Sequence, residues 1–271
     1  DDVVDAPIHR IQEGKVEPVI SRFNLDYSTL VHLHGSAGQE AAIQAWERSF
    51  AAFQAREHSK QREDQNRQQV RQLLKKRFQF LEATGYIRGD REIRPRGETS
   101  QFLHGFEIEL TELLYSGILE ECEPPELCAM LAAVIYESRR RDEFWGNSLR
   151  PMRGLLKRAN RVLENAQEME AAQGLAPTFK LLDEAMSPAI LEYASGRPFT
   201  ELADFTNAAP GDFVRCARLV VQFLRHLQRV AKGKASEFHT LCGDAITCLY
   251  RGPVDVRAEL GLGDEEEDQP E

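Results

Sequence analysis

After Ser100, apolar side chains recur at helical spacing almost to the end of this 271-residue chain. That period predicts helices and leaves little room for a sheet. Pro124, Pro125, Gly146, Gly174, Pro177, Gly196, Pro198, Pro210, Gly211 and Gly233 punctuate the pattern. They divide it into helices expected at 104–116, 124–141, 148–171, 179–195, 199–205, 212–232 and 235–250. The fold class that follows is mostly α.

The first hundred residues read differently. Pro7, Gly14 and Pro18 exclude a helix at the start. Asp26 is placed to cap a short helix, Tyr27 to His34, which Gly35 should end. Ala42, Ile43, Trp46, Phe50 and Phe53 form one helical stripe, and Val70, Leu73, Leu74, Phe78 and Leu81 form another. Between them 56–69 is wholly polar, either an exposed stretch of helix or a linker. "YIRGDREIRPRGE" at 86–98 reads as two short strands about a Gly89-Asp90 turn. Helices followed by one small hairpin are how a winged-helix domain reads.

Charge is distributed unevenly. The net charge of −10 argues against a chain that coats nucleic acid uniformly. Yet 139–161 holds seven Arg and one Lys against Asp142 and Glu143, a net of +6. Residues 211–234 hold four Arg and two Lys against Asp212, a net of +5. Six acidic residues and no basic one fall in "DEEEDQPE" at 264–271, where self-repulsion predicts disorder. The five cysteines fit no zinc spacing and are expected to be reduced, buried thiols of a cytosolic protein. No apolar run approaches the roughly 20 residues of a membrane span. The opening Asp1-Asp2-Val3-Val4 lacks an initiator Met, so a fragment of a longer chain is expected.

The segment "GDFVRCARLVVQFLRHLQRVAKGK" at 211–234 combines an apolar helix with a row of guanidinium groups. Asp212 is placed to cap it. At about 100° per residue, Arg215, Arg218, Gln222, Arg225 and Arg229 share an arc of roughly 80°. Such a stripe is either a solvated face or one aimed at an anionic partner. No Asp or Glu stands four residues away to pair with it, and every charged place is Arg rather than Lys. A flat, multidentate guanidinium suits phosphates and base faces, as in a groove that tracks a single strand.

These residues resemble a known family. "GDFVRCARLVVQFLRHL" is similar to the G-(D/S)-x-(I/V)-R-x-x-R helix near the end of superkiller-like DExH-box RNA helicases. "ELTELLYSGILEECEPPELCAMLAAVIYES" at 109–138 resembles the opening of their C-terminal domain, DSHCT. "LEYASGRPFTELADFTNAAPGD" at 191–212 resembles a further stretch of it, with Tyr193 where Trp is usual. "PVISRFNLDYSTLVHL", "WERSFAAFQ" and "LEATGYI" resemble the passage from the second helicase lobe through the winged helix.

The resemblance implies a division. Residues 1–20 would end the second RecA-like lobe, 21–100 would be the winged helix and 101–252 the helical bundle; the charge pattern predicts an acidic disordered tail at 253–271. The arginine helix would be the so-called ratchet helix, with Arg215 and Arg218 at matching positions. Glu137 matches an acidic position on the nucleic-acid path, against the plainer reading of a surface carboxylate paired with Arg140 or Arg141. Only the polar stretch near 56–69 stands where larger members carry an arch domain.

The chain has no P-loop and no Q-x-x-G-R-x-G-R motif. It is therefore expected to hydrolyse no ATP by itself. ATP and Mg²⁺ would bind RecA-like lobes outside it, and its partner would be single-stranded RNA or DNA. A free-standing nucleic-acid adaptor and a protein-binding bundle remain as alternatives. The pair Phe144 and Trp145 reads as core.

Overall fold

A computed structural model describes residues 26–54, 60–139, 143–145, 148–231 and 236–256. The expectations for residues 1–25, for Arg140, Arg141 and Asp142, and for the acidic 264–271 lie outside these. The described residues are mostly α-helical, with one two-stranded sheet. No helix among them is long and apolar enough to cross a membrane.

Three helices and a hairpin come first. They are α1 (Tyr27–Ala37), α2 (Gln39–Gln54) and α3 (Lys60–Ala83), then β1 (Ile87–Arg88) and β2 (Glu92–Ile93). Asp26 caps α1 by accepting a hydrogen bond from the Thr29 amide at 2.8 Å. Gly35 does not end α1. It lies within the helix against the hairpin, and a Cβ there would fall 2.2 Å from Ile93 Cδ1. Gly38, at φ +81°, ends it instead.

The polar stretch resolves in part, since residues 60–69 form the first turns of α3. The strands pair antiparallel in the register Ile87↔Ile93 and Arg88↔Glu92, around Gly89 at φ +58°. The second strand is shorter than expected, because Pro95 at the first helical position starts α4 (Pro95–Ser100). Leu30, Val31, Ile43, Leu74, Phe78, Phe80 and Tyr86 fill the core of this region.

A larger core follows. It is built from α5 (Glu107–Tyr115), α6 (Pro124–Ile135), α7 (Arg153–Ala172), α8 (Ser187–Ala194), α9 (Pro210–Ala231) and α10 (Ser236–Leu249). Every residue of α6 from Leu127 to Ile135 is buried, as a helix apolar on all sides requires. It packs on α8, α9 and α10. Three helices fall short of expectation. α7 starts only at Arg153. α6 stops at Ile135 because Tyr136 turns extended, at ψ 149°. α8 starts only at Ser187.

Before α8 the chain runs without helix as a strap. Its backbone is held by partners far along the sequence. The Leu182 amide donates to Asn160 Oδ1 at 3.0 Å and the Asp183 amide to the Ala133 carbonyl at 2.8 Å.

The two cores share a seam. Ile108, Ala166 and Leu175 of the larger region pack into the first core. Glu170 is fully buried there, and Tyr27 Oη and Thr178 Oγ1 each donate to it at 2.5 Å. Glu112 receives Tyr86 Oη at 2.9 Å and both its oxygens face Arg96 Nη1, at 2.5 and 2.6 Å.

Candidate nucleic-acid interface

The amphipathicity of α9 positions the site. Phe213, Cys216, Ala217, Val220, Val221, Phe223, Leu224, Leu227 and Ala231 are buried along one side. Each Val, Leu or Phe so buried contributes about 1.5–3 kcal/mol. That packing leaves the polar arc outward: Arg215, Gln222, Arg225 and Arg229 are exposed and Arg218 is half-buried. From Arg215 to Arg229 the row rises about 21 Å at 1.5 Å per residue.

The helix begins one turn earlier than Asp212 as a cap would require. Pro210 opens it, and Asp212 lies in the first turn. Its carboxylate instead accepts from Arg139 Nη2 at 3.0 Å. A negative charge there still suits the positive end of the helix dipole.

Two open cavities flank the start of α9 and share Arg215 and Leu219. One, of ≈ 430 Å³, lies between α9 and the residues after α6 and is lined by Glu137, Ser138, Arg139, Asp212 and Arg215 among others. The other, of ≈ 580 Å³, is lined by Phe199, Pro210, Gly211, Val214, Arg215, Arg218, Leu219, Gln222 and Pro253. No carboxylate is in that second set. Guanidinium groups beside apolar walls can receive phosphate and base together.

The structure brings Arg215 together with Glu137 in the first cavity, and with Arg218 and Gln222 in the second. Arg225 and Arg229 line neither. They continue the same face toward the end of α9. Glu137 is exposed on the chain leaving α6.

Two of the arginines are held by the residues after α10. Arg218 donates to the carbonyls of Pro253 and Val254. The Arg225 guanidinium sits 5.1 Å over the Tyr250 ring. Arg251 stacks 4.0 Å over Tyr193 and donates to the carbonyls of Tyr193 and Arg197. Tyr193 in turn donates its hydroxyl to the Arg251 carbonyl and meets Phe213 edge-on at 5.3 Å. Sequence reasoning missed Arg139, Tyr250 and Arg251, whose roles come from long-range contacts without a local pattern. Lys180 also escaped it; its ammonium donates to the Tyr136 carbonyl behind the first cavity.

Phe144 packs edge-on to Tyr136 at 6.2 Å, as a core residue does. Trp145 departs from that expectation and is 44% exposed. All five cysteines are free thiols, four of them buried. Burial pushes Cys122, Cys216 and Cys242 up to about 12, so they are poor nucleophiles. Among the described residues no group of three His, Cys, Asp or Glu is arranged to hold a metal ion.

The chain is 26% identical over 161 residues to Superkiller complex protein 2 of Homo sapiens, covering 58% of this chain and 13% of that protein. It is 22% identical over 190 residues to the ATP-dependent RNA helicase mtr4 of Schizosaccharomyces pombe, covering 67% and 17%. It is 27% identical over 167 residues to the Antiviral helicase SKI2 of Saccharomyces cerevisiae, covering 58% and 12%. The chain thus spans less than a fifth of the length of these relatives. The model of the DSHCT (NUC185) domain matches residues 90–257, well over half of the chain. The chain belongs to the DSHCT family, the C-terminal region of superkiller-like helicases.

Proposed function

We propose that the groove along α9 grips single-stranded RNA, as part of an ATP-dependent helicase whose RecA-like lobes hold ATP and Mg²⁺. In this reading residues 1–20 end the second lobe, 21–100 are a winged helix, and 101–252 are the bundle that closes over the strand. α9 is the ratchet helix. Arg215, Arg218, Arg225 and Arg229 meet phosphates and bases, Gln222 adds a neutral hydrogen bond, and Glu137 faces the strand across the first cavity. Lobe movement would then advance a strand that α9 holds.

The observation that carries this is the second cavity, which joins Arg215, Arg218 and Gln222 to apolar walls with no carboxylate among its lining residues. A face that only dissolved the protein would gain nothing from such a cleft. The relative named ATP-dependent RNA helicase mtr4 supports the choice of ligand.

The test is fluorescence anisotropy of this chain with a single-stranded RNA across a salt series. Arg215→Ala is the clean variant, because the side chain is exposed and outside the packing of α9. Binding should weaken, and the slope of log K against log salt should fall by about 0.7, the value for one phosphate contact on a single strand. Salt-insensitive binding, or binding that the variant leaves unchanged, would refute the reading.

A further inference from the structure

The second basic segment of the sequence is not absorbed by the α9 groove. On α7, Arg153, Lys157 and Arg161 stand four residues apart and are exposed. That spacing aligns them on one helix face, each about 6 Å beyond the last. Leu156, Ala159, Leu163 and Ala166 bury the opposite face. Arg150, in the turn before α7, is exposed as well. The row lines an open cavity of ≈ 640 Å³ with Leu156, Arg158, Asn160, Glu164 and Glu184. Arg158 is spent on Glu121, with contacts at 2.5 and 3.0 Å. With Arg158 so paired, Glu164 and Glu184 offset part of the charge, leaving three cations against two carboxylates in the lining. Lys157 and Arg161 make no ion pair among the described residues.

This cavity adjoins the α9 site through the strap. Asp183 Oδ2 accepts from the amide of Ser138, at 2.7 Å, and Ser138 lines the first α9 cavity. The next residue, Glu184, lines the α7 cavity, as does Asn160, which the Leu182 amide bonds. Asp183 therefore stands between the two cavities. Its other oxygen accepts from the Ala185 amide at 3.1 Å, so both carboxylate oxygens are occupied by backbone donors.

We propose that the α7 row is a second subsite for the same RNA strand. It would take the phosphate backbone on the far side of the strap from α9, through Lys157 and Arg161 with Arg153 beside them. The inference rests on the α9 reading. Its own support is charge complementarity and the one-residue separation of the two cavities.

The experiment compares uridine homopolymers of about 8 and about 16 nucleotides, both within the range of single-strand site sizes. Anisotropy is read over a salt series for the unaltered chain, Lys157→Gln/Arg161→Gln and Glu184→Gln. For the longer strand the double variant should lower the salt slope by about 1.4. Its loss of affinity should then be about sevenfold greater at 50 mM than at 200 mM salt. The shorter strand should be unaffected. Glu184→Gln should tighten only the longer strand, and this arm removes a charge rather than a contact. Thermal melting of each variant checks that the fold is intact.

Salt-dependent binding by the unaltered chain with no change in the double variant would overturn the α7 subsite and leave the α9 reading standing. The row would then be left to an acidic protein surface. Equal weakening of both strand lengths would also overturn it. Absence of binding to either strand by the unaltered chain would remove both readings.

Discussion

Arg218 donates from Nη2 to the carbonyl of Pro253 at 2.8 Å, and from Nε to that of Val254 at 3.3 Å. The same arginine lines the cavity proposed to hold RNA. Its guanidinium is therefore fixed in place before any ligand arrives. Arg215, one turn earlier, has no such anchor among the hydrogen bonds of the described residues.

The two arginines should respond differently to removal. Arg218→Ala should cost about 1.5 kcal/mol of stability, a typical loss for a hydrogen bond from a charged group. Arg215→Ala should change stability by no more than about 0.5 kcal/mol, as exposed substitutions do. Urea denaturation of both variants beside the unaltered chain reads the difference. Equal losses would remove the structural role assigned to Arg218.

Glu109 sets a pH dependence. Burial, then the neighbouring charges of Glu107 and Glu170, push its carboxyl up from 4.5 to about 8, against the pull of Lys180. The folded state holds this proton more tightly than the unfolded state does. Stability should therefore fall as pH rises from about 4.5 to about 8, by about 4 kcal/mol. Melting temperatures across that range should decline, and Glu109→Gln should flatten the decline. A flat profile for the unaltered chain would contradict this account of the buried carboxyl.

Two glycine-to-alanine changes should have opposite signs. At Gly97 an added Cβ would lie 2.3 Å from the Tyr86 carbonyl oxygen, a backbone atom that cannot rotate away. Gly97→Ala should destabilise by about 2–3 kcal/mol and loosen the hairpin. Gly154 lies in α7 with nothing within 4 Å of the added atom. Gly154→Ala should stabilise by about 0.5–1 kcal/mol through helix propensity. Denaturation midpoints check both.

The family resemblance leads to an expectation of Trp where Tyr193 stands, and the structure accounts for tyrosine here. The ring is 1% exposed, Arg251 covers it at 4.0 Å, and its hydroxyl meets the Arg251 carbonyl. A Cβ on Gly252 would already be 3.2 Å from that hydroxyl. Tyr193→Trp should overpack the site by about 1–3 kcal/mol. Since Arg251 to Val254 also carry the acceptors of Arg218, the same variant should weaken RNA binding at the α9 groove. A variant as stable as the parent would show that the site has room to spare.

The parts of this architecture that were legible in the sequence are those governed by local periodicity. The outward arc of α9 followed from the angular positions of Arg215, Gln222, Arg225 and Arg229, because an apolar majority dictates which side is buried. The hairpin followed from Gly89. The strap before α8 was not legible, because Leu182 and Asp183 bond Asn160 and Ala133 instead of their neighbours. Asp212 looked like a cap until Arg139, 73 residues away, claimed its carboxylate. Gly35 looked like a helix end, while its lack of a side chain serves the approach of Ile93. Arg215 and Glu137 were named separately, and only the fold brought them to one cavity.

The seam around Glu170 bears on the order in which the molecule can be made. The core of α1 to α3 is completed by Ile108, Ala166 and Leu175, and Tyr27 waits for a carboxylate 143 positions later. A ribosome adding about 5–20 residues each second releases the helices several seconds before their cover. During that interval Leu30, Ile43 and Phe78 lack their final neighbours. The early segment is thus finished only by residues from the region that follows.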